Sequence, residues 1–271
     1  MNKILIELTL KCTNVLFDFI NIIIKYMPVR VKAQFVEKLI FFSRLDFSKA
    51  DIKLIISSNY SLVRLRSCSK EKHTVNWINT FSLGEVFYDI GANVGAYSLI
   101  ASKFGKCDKI YSFEPVPGTF HELLTNIKLN NISNILACNI CLSNSNSIST
   151  FRLSSNLPGS ALHAGINSAV VESENIFLCA TVTLDNFIDI NKAKMPNHLK
   201  IDVDGAELSI LKGAIKTLAS KELKSLQIEI DESSHTYNEI ISILNINNFK
   251  IIEKYYKDEK SNSSYDAIFK K

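Results

Sequence analysis

The sequence predicts an α/β fold: a mostly parallel sheet with a C-terminal hairpin, preceded by a helical extension. Three observations predict it. From residue 86 onward, short β-branched or aromatic runs alternate with helical stretches, the pattern of βαβ units. One of those runs, VFYDI at 86–90, passes through a glycine-bearing turn straight into a helix start. The chain of 271 residues, 46% hydrophobic and 21% charged, is long and apolar enough for one large α/β domain or a domain with an appendage.

Taken in order, residues 1–76 read as lysine-dotted helices, with Pro28 separating the first from a second over 31–45. VFYDI is followed by a helix over 96–104, and KIYSFE (109–114) by one over 118–130. NILACNICL (134–142) reads as a third strand. HLKIDV (198–203) leads to a helix over 206–220, and LKSLQIEI (223–230) is the next strand. FKIIEKYY (249–256) and YDAIFKK (265–271), separated by the polar KDEKSNSS, close as a hairpin added to the sheet. Residues 144–180 break the alternation with a Ser/Asn-rich segment too long for an ordinary connection, which points to a lid over the site. Its Phe151, Leu153, Leu157 and Leu162 favour a packed insertion over a linker. The expected division is an extension over 1–76 and a main domain over 77–271.

The net charge of +4 comes from scattered basic residues, so nucleic-acid binding is not expected. The six cysteines form no secreted disulfide framework at this length. Cys138 and Cys141 lack a second pair for zinc and sit in an apolar run, which reads as buried thiols in a reducing cytoplasm. Residues 1–27 are apolar, but Glu7, Lys11, Asp18 and Lys25 leave no charge-free stretch near the roughly 20 residues a spanning helix needs. No small-residue cleavage site follows a short apolar core. An amphipathic helix packing on its own domain is the expectation. Peripheral contact with the inner face of a membrane is the alternative.

The turn after VFYDI reads Asp89-x-Gly91-x-Asn93-x-Gly95. A dinucleotide turn wants Gly-x-Gly-x-x-Gly, whose second glycine lets the backbone approach a pyrophosphate. Asn93 puts a side chain in that approach, Gly95 sits at the wrong interval, and Asp89 places a negative charge beside the phosphates. A cationic cofactor suits these residues better. S-adenosylmethionine carries a sulfonium and an amino group, which a strand-end carboxylate and turn carbonyls can meet with charge-assisted contacts. Gly91 and Gly95 would let the chain sit against its amino-acid part. Glu114 ends the next strand about 20 residues on, followed by Pro115, where an acid accepts from both ribose hydroxyls. Such an acid serves nicotinamide cofactors equally. Asn139, after the third strand, is placed to meet an adenine edge.

FYDIGANVGAYS, SFEPVPGTFHELLTNIKLN, TVTLDNF and above all LKIDVDGAELSILKGA resemble the FkbM-type S-adenosylmethionine-dependent methyltransferases, in the family's order from about Trp77 to Ile230. The resemblance implies a Rossmann-like class I methyltransferase fold that moves a methyl group to a hydroxyl of a sugar, glycolipid, polysaccharide or secondary metabolite. It implies that Asp89, Gly91, Asn93 and Gly95 hold the methionine part and Glu114 the ribose. Lys200, Asp202, Gly205 and Glu207 fall on the second signature, where the family more often has glutamate at the position of Asp204. Residues 1–76 match nothing specific and are expected to shape the acceptor side.

In open parallel sheets, ligands bind beyond the carboxyl ends of the strands. Asp202 and Asp204 stand at such an end, and alternation points both the same way if the strand persists that far. QIEIDESSH adds Glu229, Asp231 and His235 to the rim. A hydroxyl acceptor needs a base within hydrogen-bond reach. Asp202 is the first candidate, His235 the second, with Asp204 beside them. Lys200, Glu207, Glu229 and Ser160 are candidate acceptor contacts, and His163 lies near Ser160. A divalent metal on Asp202, Asp204, Asp231 and His235 is an alternative, but no metal is expected. Two other readings compete: a nicotinamide oxidoreductase, opposed by Asp89 and Asn93, and a non-catalytic cofactor-binding module, opposed by the retained carboxylates.

Overall fold

The expected alternation of strands and helices is what the computed structural model shows. It describes residues 3–153, 157, 159, 176–258 and 261–271. Two helices, α1 (Lys3–Tyr26) and α2 (Val29–Lys38), form one unit, Met1–Phe41. The second unit, Phe42–Lys271, opens with an antiparallel pair, β1 (Phe42–Arg44) and β2 (Lys53–Ile55), and three short helices, α3 (Asn59–Arg64), α4 (Ser67–Lys70) and α5 (Lys72–Asn79). There follow β3 (Glu85–Ile90), α6 (Ala96–Lys103), β4 (Cys107–Phe113), α7 (Pro117–Leu129) and β5 (Ile135–Cys138). A second group comprises β6 (Cys141–Leu142), β7 (Ser147–Arg152), β8 (Ile176–Val182) and α8 (Leu184–Asn191). The chain continues through β9 (His198–Ile201), α9 (Glu207–Lys212), α10 (Ile215–Ala219), β10 (Ser225–Asp231) and α11 (Tyr237–Ile246), and ends with β11 (Lys250–Asp258) and β12 (Ser261–Lys270).

The central sheet runs β11-β12-β10-β9-β3-β4-β5. β5, β4, β3, β9 and β10 are parallel, and β12 enters antiparallel between β10 and β11. The chain winds outward from β3 to β5 and then returns to place β9 on the other side of β3. That reversal makes the carboxyl ends of β3 and β9 the switch point at which open α/β sheets form their ligand crevice. Both sheet faces are covered, as a parallel sheet requires. Tyr88 and Ile90 pack on one side with Leu184, Phe187, Leu211 and Leu218. Phe87 points the other way, into a cluster with Trp77, Leu99 and Ile100.

Three boundaries differ from the sequence expectation. The main unit begins after Phe41 rather than after residue 76, because Leu45, Phe47, Ile52 and Leu54 belong to the same core cluster as Phe87. The run 134–142 divides between the central sheet (β5) and a small sheet of order β6-β8-β7, so Cys138 and Cys141 lie in different sheets, both as free thiols. Asn139 bends the chain there by donating its amide to the carbonyls of Glu114 and Pro115, at 2.8 and 3.1 Å. The helix over 206–220 breaks at Gly213, where an added Cβ would lie 2.0 Å from the Ser143 carbonyl oxygen. Within the expected insertion, β7 and β8 pack Phe151, Leu153 and Cys179 with Cys141 and Val116. The rest of that segment, and with it Ser160 and His163, lies outside the described residues.

At the opposite end of the sheet, Glu85 ties three strands together. Its carboxylate accepts from Lys224 Nζ at 2.6 Å and pairs with His198 Nε2 at 2.7 Å. Burial raises its pKa, but the Lys224 and His198 bonds outweigh burial and hold it at about 2. A folded pKa below the ordinary 4.5 contributes stability that is complete above that value and is lost as pH falls toward about 2. Glu85→Gln is therefore expected to cost about 2 kcal/mol at pH 7 and to flatten the acid limb of the stability curve in urea titrations from pH 5 to 2. An unchanged acid limb would refute this account of Glu85.

Candidate active site

Near the carboxyl ends of β4, β3 and β9, and continuing into the first half of β10, a row of polar residues crosses the sheet in register: Ser112, Asp89, Lys200 and Gln227. All four are buried. Ser98 on α6 donates to Asp89 Oδ2 at 2.6 Å and shares a hydrogen bond of 2.7 Å with Ser112. Gln227 donates to Thr74, which donates to Glu71. Lys200, 2% exposed, sends its ammonium to Asp202 Oδ2 at 2.7 Å and lies 4.9 Å from the centre of the Tyr97 ring. Burial opposes its charge, yet the carboxylates of Asp202, Glu71 and Asp89 together raise its pKa above the ordinary lysine value. Asp89, 1% exposed, is pushed upward by burial against the pull of Lys200. Its Oδ1 is buried with no hydrogen-bond partner.

The turn that follows uses left-handed backbone at Gly91, Asn93 and Gly95, with φ of 81°, 49° and 88°. Gly91 is obligatory for space as well as for φ: a Cβ there would lie 1.9 Å from the Asp202 carbonyl oxygen. This close approach presses the ends of β3 and β9 together. Each amide of the turn has an internal acceptor. Gly91 and Ala92 donate to the Phe113 carbonyl at 3.1 and 2.9 Å, and Gly95 donates to Ala92 at 2.8 Å. Asn93 donates its backbone N–H to Glu114 Oε2 at 3.0 Å, and its side-chain oxygen accepts from Val94 N–H at 2.9 Å. Asn93 thus acts as a plug for its own turn.

Glu114 is buried and also accepts from Val116 N–H at 2.9 Å. Burial raises its pKa to about 7 against those two amides and the Arg64 guanidinium. Arg64 donates to the Gly159 carbonyl at 2.9 Å, bringing α3 to this corner. Asn139 is beside Glu114, but its amide nitrogen is committed to the two carbonyls at 114 and 115.

The second signature is not an extension of the strand. β9 stops at Ile201, so alternation does not align Asp202 with Asp204. Asp204 takes left-handed backbone at φ 50° and is exposed. Asp202, with a side chain 33% exposed, remains at the crevice, paired with Lys200. Glu207 opens α9, accepts from Gly205 N–H at 3.1 Å and is raised to about 7 by burial. Glu229 accepts from Ser264 at 3.1 Å and lies in register with Asp266. His235 is exposed in the segment before α11, and Asp231 accepts from the N–H and hydroxyl of Ser233.

Among the described residues, the ligand-type atoms that converge within 4.8 Å belong to Glu71, His73 and Asp266, not to Asp202, Asp204, Asp231 and His235. His73 Nε2 is hydrogen-bonded to Asp266 at 2.9 Å, and its ring stacks on Tyr255. Sequence reading missed Arg64, Glu71, His73, Tyr97 and Asp266. The first three lie in a stretch with no motif, and Asp266 is carried in by the last strand.

Residues 89–251 match the model of the methyltransferase FkbM domain. A Haloferax volcanii protein named hexuronic acid methyltransferase AglP is 27% identical over 144 residues, covering 53% of this chain and 56% of that protein. Methyltransferase 1 of Beauveria bassiana is 26% identical over 140 residues, covering 46% of this chain and 56% of that protein. The chain thus spans little more than half the length of either relative. Among solved structures, a methyltransferase FkbM from Methylobacillus flagellatus KT aligns with a TM-score of 0.47 and 19% identity, over 79% of this chain and 56% of that one.

The contact at Gly91 sets a clear test. Gly91→Ala is expected to destabilise the protein by about 3 kcal/mol or more, since strained backbone adds to a clash with a carbonyl that cannot yield. Gly84→Ala has comparable φ, 86°, and open space, so it should cost only about 1 kcal/mol. Equal losses in chemical denaturation would show that the β3–β9 approach is not the constraint.

Proposed function

The chain belongs to the FkbM methyltransferase family, and from that premise we propose that it is an S-adenosylmethionine-dependent O-methyltransferase acting on a hydroxyl of a sugar, glycan, glycolipid or secondary metabolite. The turn at 91–95 carries this reading. A diphosphate cofactor is held by free backbone amides, and here all five amides are spent on internal acceptors. What the turn offers instead is acceptor capacity: the unpartnered Asp89 Oδ1 and the Glu114 carboxylate. A buried lone acceptor is costly until a donor reaches it, and the ammonium of S-adenosylmethionine is such a donor. The residues therefore fit this cofactor, with Asp89, Gly91, Asn93 and Gly95 toward its methionine part and Glu114 toward its ribose. A sugar acceptor is supported by the hexuronic acid named for the Haloferax relative.

When bound, the cofactor supplies an electrophilic methyl group on a positively charged sulfur. The chain's part is to align an acceptor oxygen with that group and to accept its proton. Asp202 is the proposed base. Its Oδ2 accepts from the Lys200 ammonium at 2.7 Å, which holds the carboxylate in place. A weakly basic carboxylate suffices, because a hydroxyl oxygen becomes strongly acidic as it gains a methyl group. Asp204 and His235, both exposed on the same rim, are secondary candidates.

Calorimetry should detect S-adenosylmethionine binding and no comparable binding of NAD; the reverse preference would remove the methyltransferase reading. A tritiated-methyl screen against sugar-nucleotide, lipid-linked glycan and small-alcohol pools should label oxygen. Label found only on nitrogen or carbon would overturn O-methylation. Asp202→Asn is expected to bind the cofactor nearly normally while losing about 10²-fold or more in turnover. Turnover equal to wild type would discard Asp202 as the base.

A further inference from the structure

The unit Met1–Phe41 carries an apolar surface that its own helices do not cover. Among its described side chains, residues 11–41, none is buried. Val15, Phe17, Phe19, Ile22, Val29 and Phe41 are all exposed. On α1 the polar residues Lys11, Asn14, Asp18, Asn21 and Lys25 recur at intervals of three and four, which sets them in one line along the helix. The rest of the circumference from Val15 to Tyr26 is apolar. No helix among the described residues is long and apolar enough to cross a membrane.

This line of charges decides the orientation. Spread along the whole axis, it cannot pass through hydrocarbon end-on, but it can face water over its full length if the helix lies flat. The broad apolar arc is more than one groove of a protein partner would cover, and a second copy would cover one side only; acyl chains surround it. Basic residues also outnumber acidic ones in this unit, with Lys3, Lys11, Lys25, Arg30, Lys32 and Lys38 against Glu7, Asp18 and Glu37. Amphipathic helices of this kind bind where apolar burial and attraction to anionic headgroups act together. We propose that α1 and α2 form an in-plane anchor that docks this protein on an anionic lipid bilayer. The anchor is independent of the methyl-transfer reading.

The test uses the full chain with phosphatidylcholine vesicles containing or lacking phosphatidylglycerol. The expected result is flotation with the anionic vesicles, reduced at least tenfold in pure phosphatidylcholine, at high salt, or by the combined Arg30→Glu and Lys32→Glu substitutions. Phe17→Asp with Phe19→Asp should abolish flotation while leaving S-adenosylmethionine or NAD binding, whichever the wild type shows, as the check of folding. Trp77 is the single tryptophan and is buried, so Phe19→Trp adds a reporter whose emission should shift to the blue with anionic vesicles. A chain that stays soluble with every vesicle, and a reporter that does not shift, would overturn the proposal. So would a lipid-free oligomer dispersed by Phe17→Asp with Phe19→Asp, which would assign the face to a second copy.

Discussion

Lys200 keeps its charge inside the protein because carboxylates surround it, and the carboxyl edge of the sheet is organised around that fact. Asp89 and Lys200 are direct neighbours on parallel strands, both almost wholly removed from water. Asp89 without Lys200 would be a buried charge without a cation beside it, which costs several kcal/mol, and Lys200 would in turn lose one of the carboxylates that offset its burial. Together with Asp202 they fix how β3 meets β9. The same ammonium that offsets Asp89 also pairs with Asp202, just beyond the end of β9.

The turn above this row works by exhaustion of donors. Its tightness requires glycine at 91, where backbone meets backbone, and its amides are satisfied through Phe113, Glu114 and Asn93. An otherwise similar strand-turn-helix with free amides would present positive potential to a ligand. Here the amides are already spent, and the charged groups beside the turn are the carboxylates of Asp89 and Glu114.

Much of this was legible in the sequence. The alternation of elements, the closing hairpin, the unusual turn and the acid at 114 follow from local patterns whose physical causes are short-range. The polar row was also present in disguise: YSF, YDI, LKI and LQI each carry one polar residue between apolar ones within a strand. Recognising it needs the strand order, which local pattern does not supply. For the same reason Glu71, His73 and Asp266 were invisible, since long-range pairing alone brings the first helices to the last strand. The end of β9 at Ile201 was a different failure. A strand boundary depends on which backbone partners are available, and the apolar run gave no sign that pairing ceases before Asp202. The start of the main unit at residue 42 was hidden because β1 and β2 are too short for periodicity to register.

The placement of β12 has a consequence for biosynthesis. It separates β10 from β11, although both precede it in the chain. While residues 261–270 are still inside the ribosome, β10 offers the nascent protein an open edge bearing Leu226, Ile228 and Ile230, and no neighbour made earlier can close it. Such an edge is a template for pairing with other chains. The emerging polypeptide is therefore exposed to misassembly until residues 261–270 are free to pair, and a chaperone shielding that edge would act in that interval.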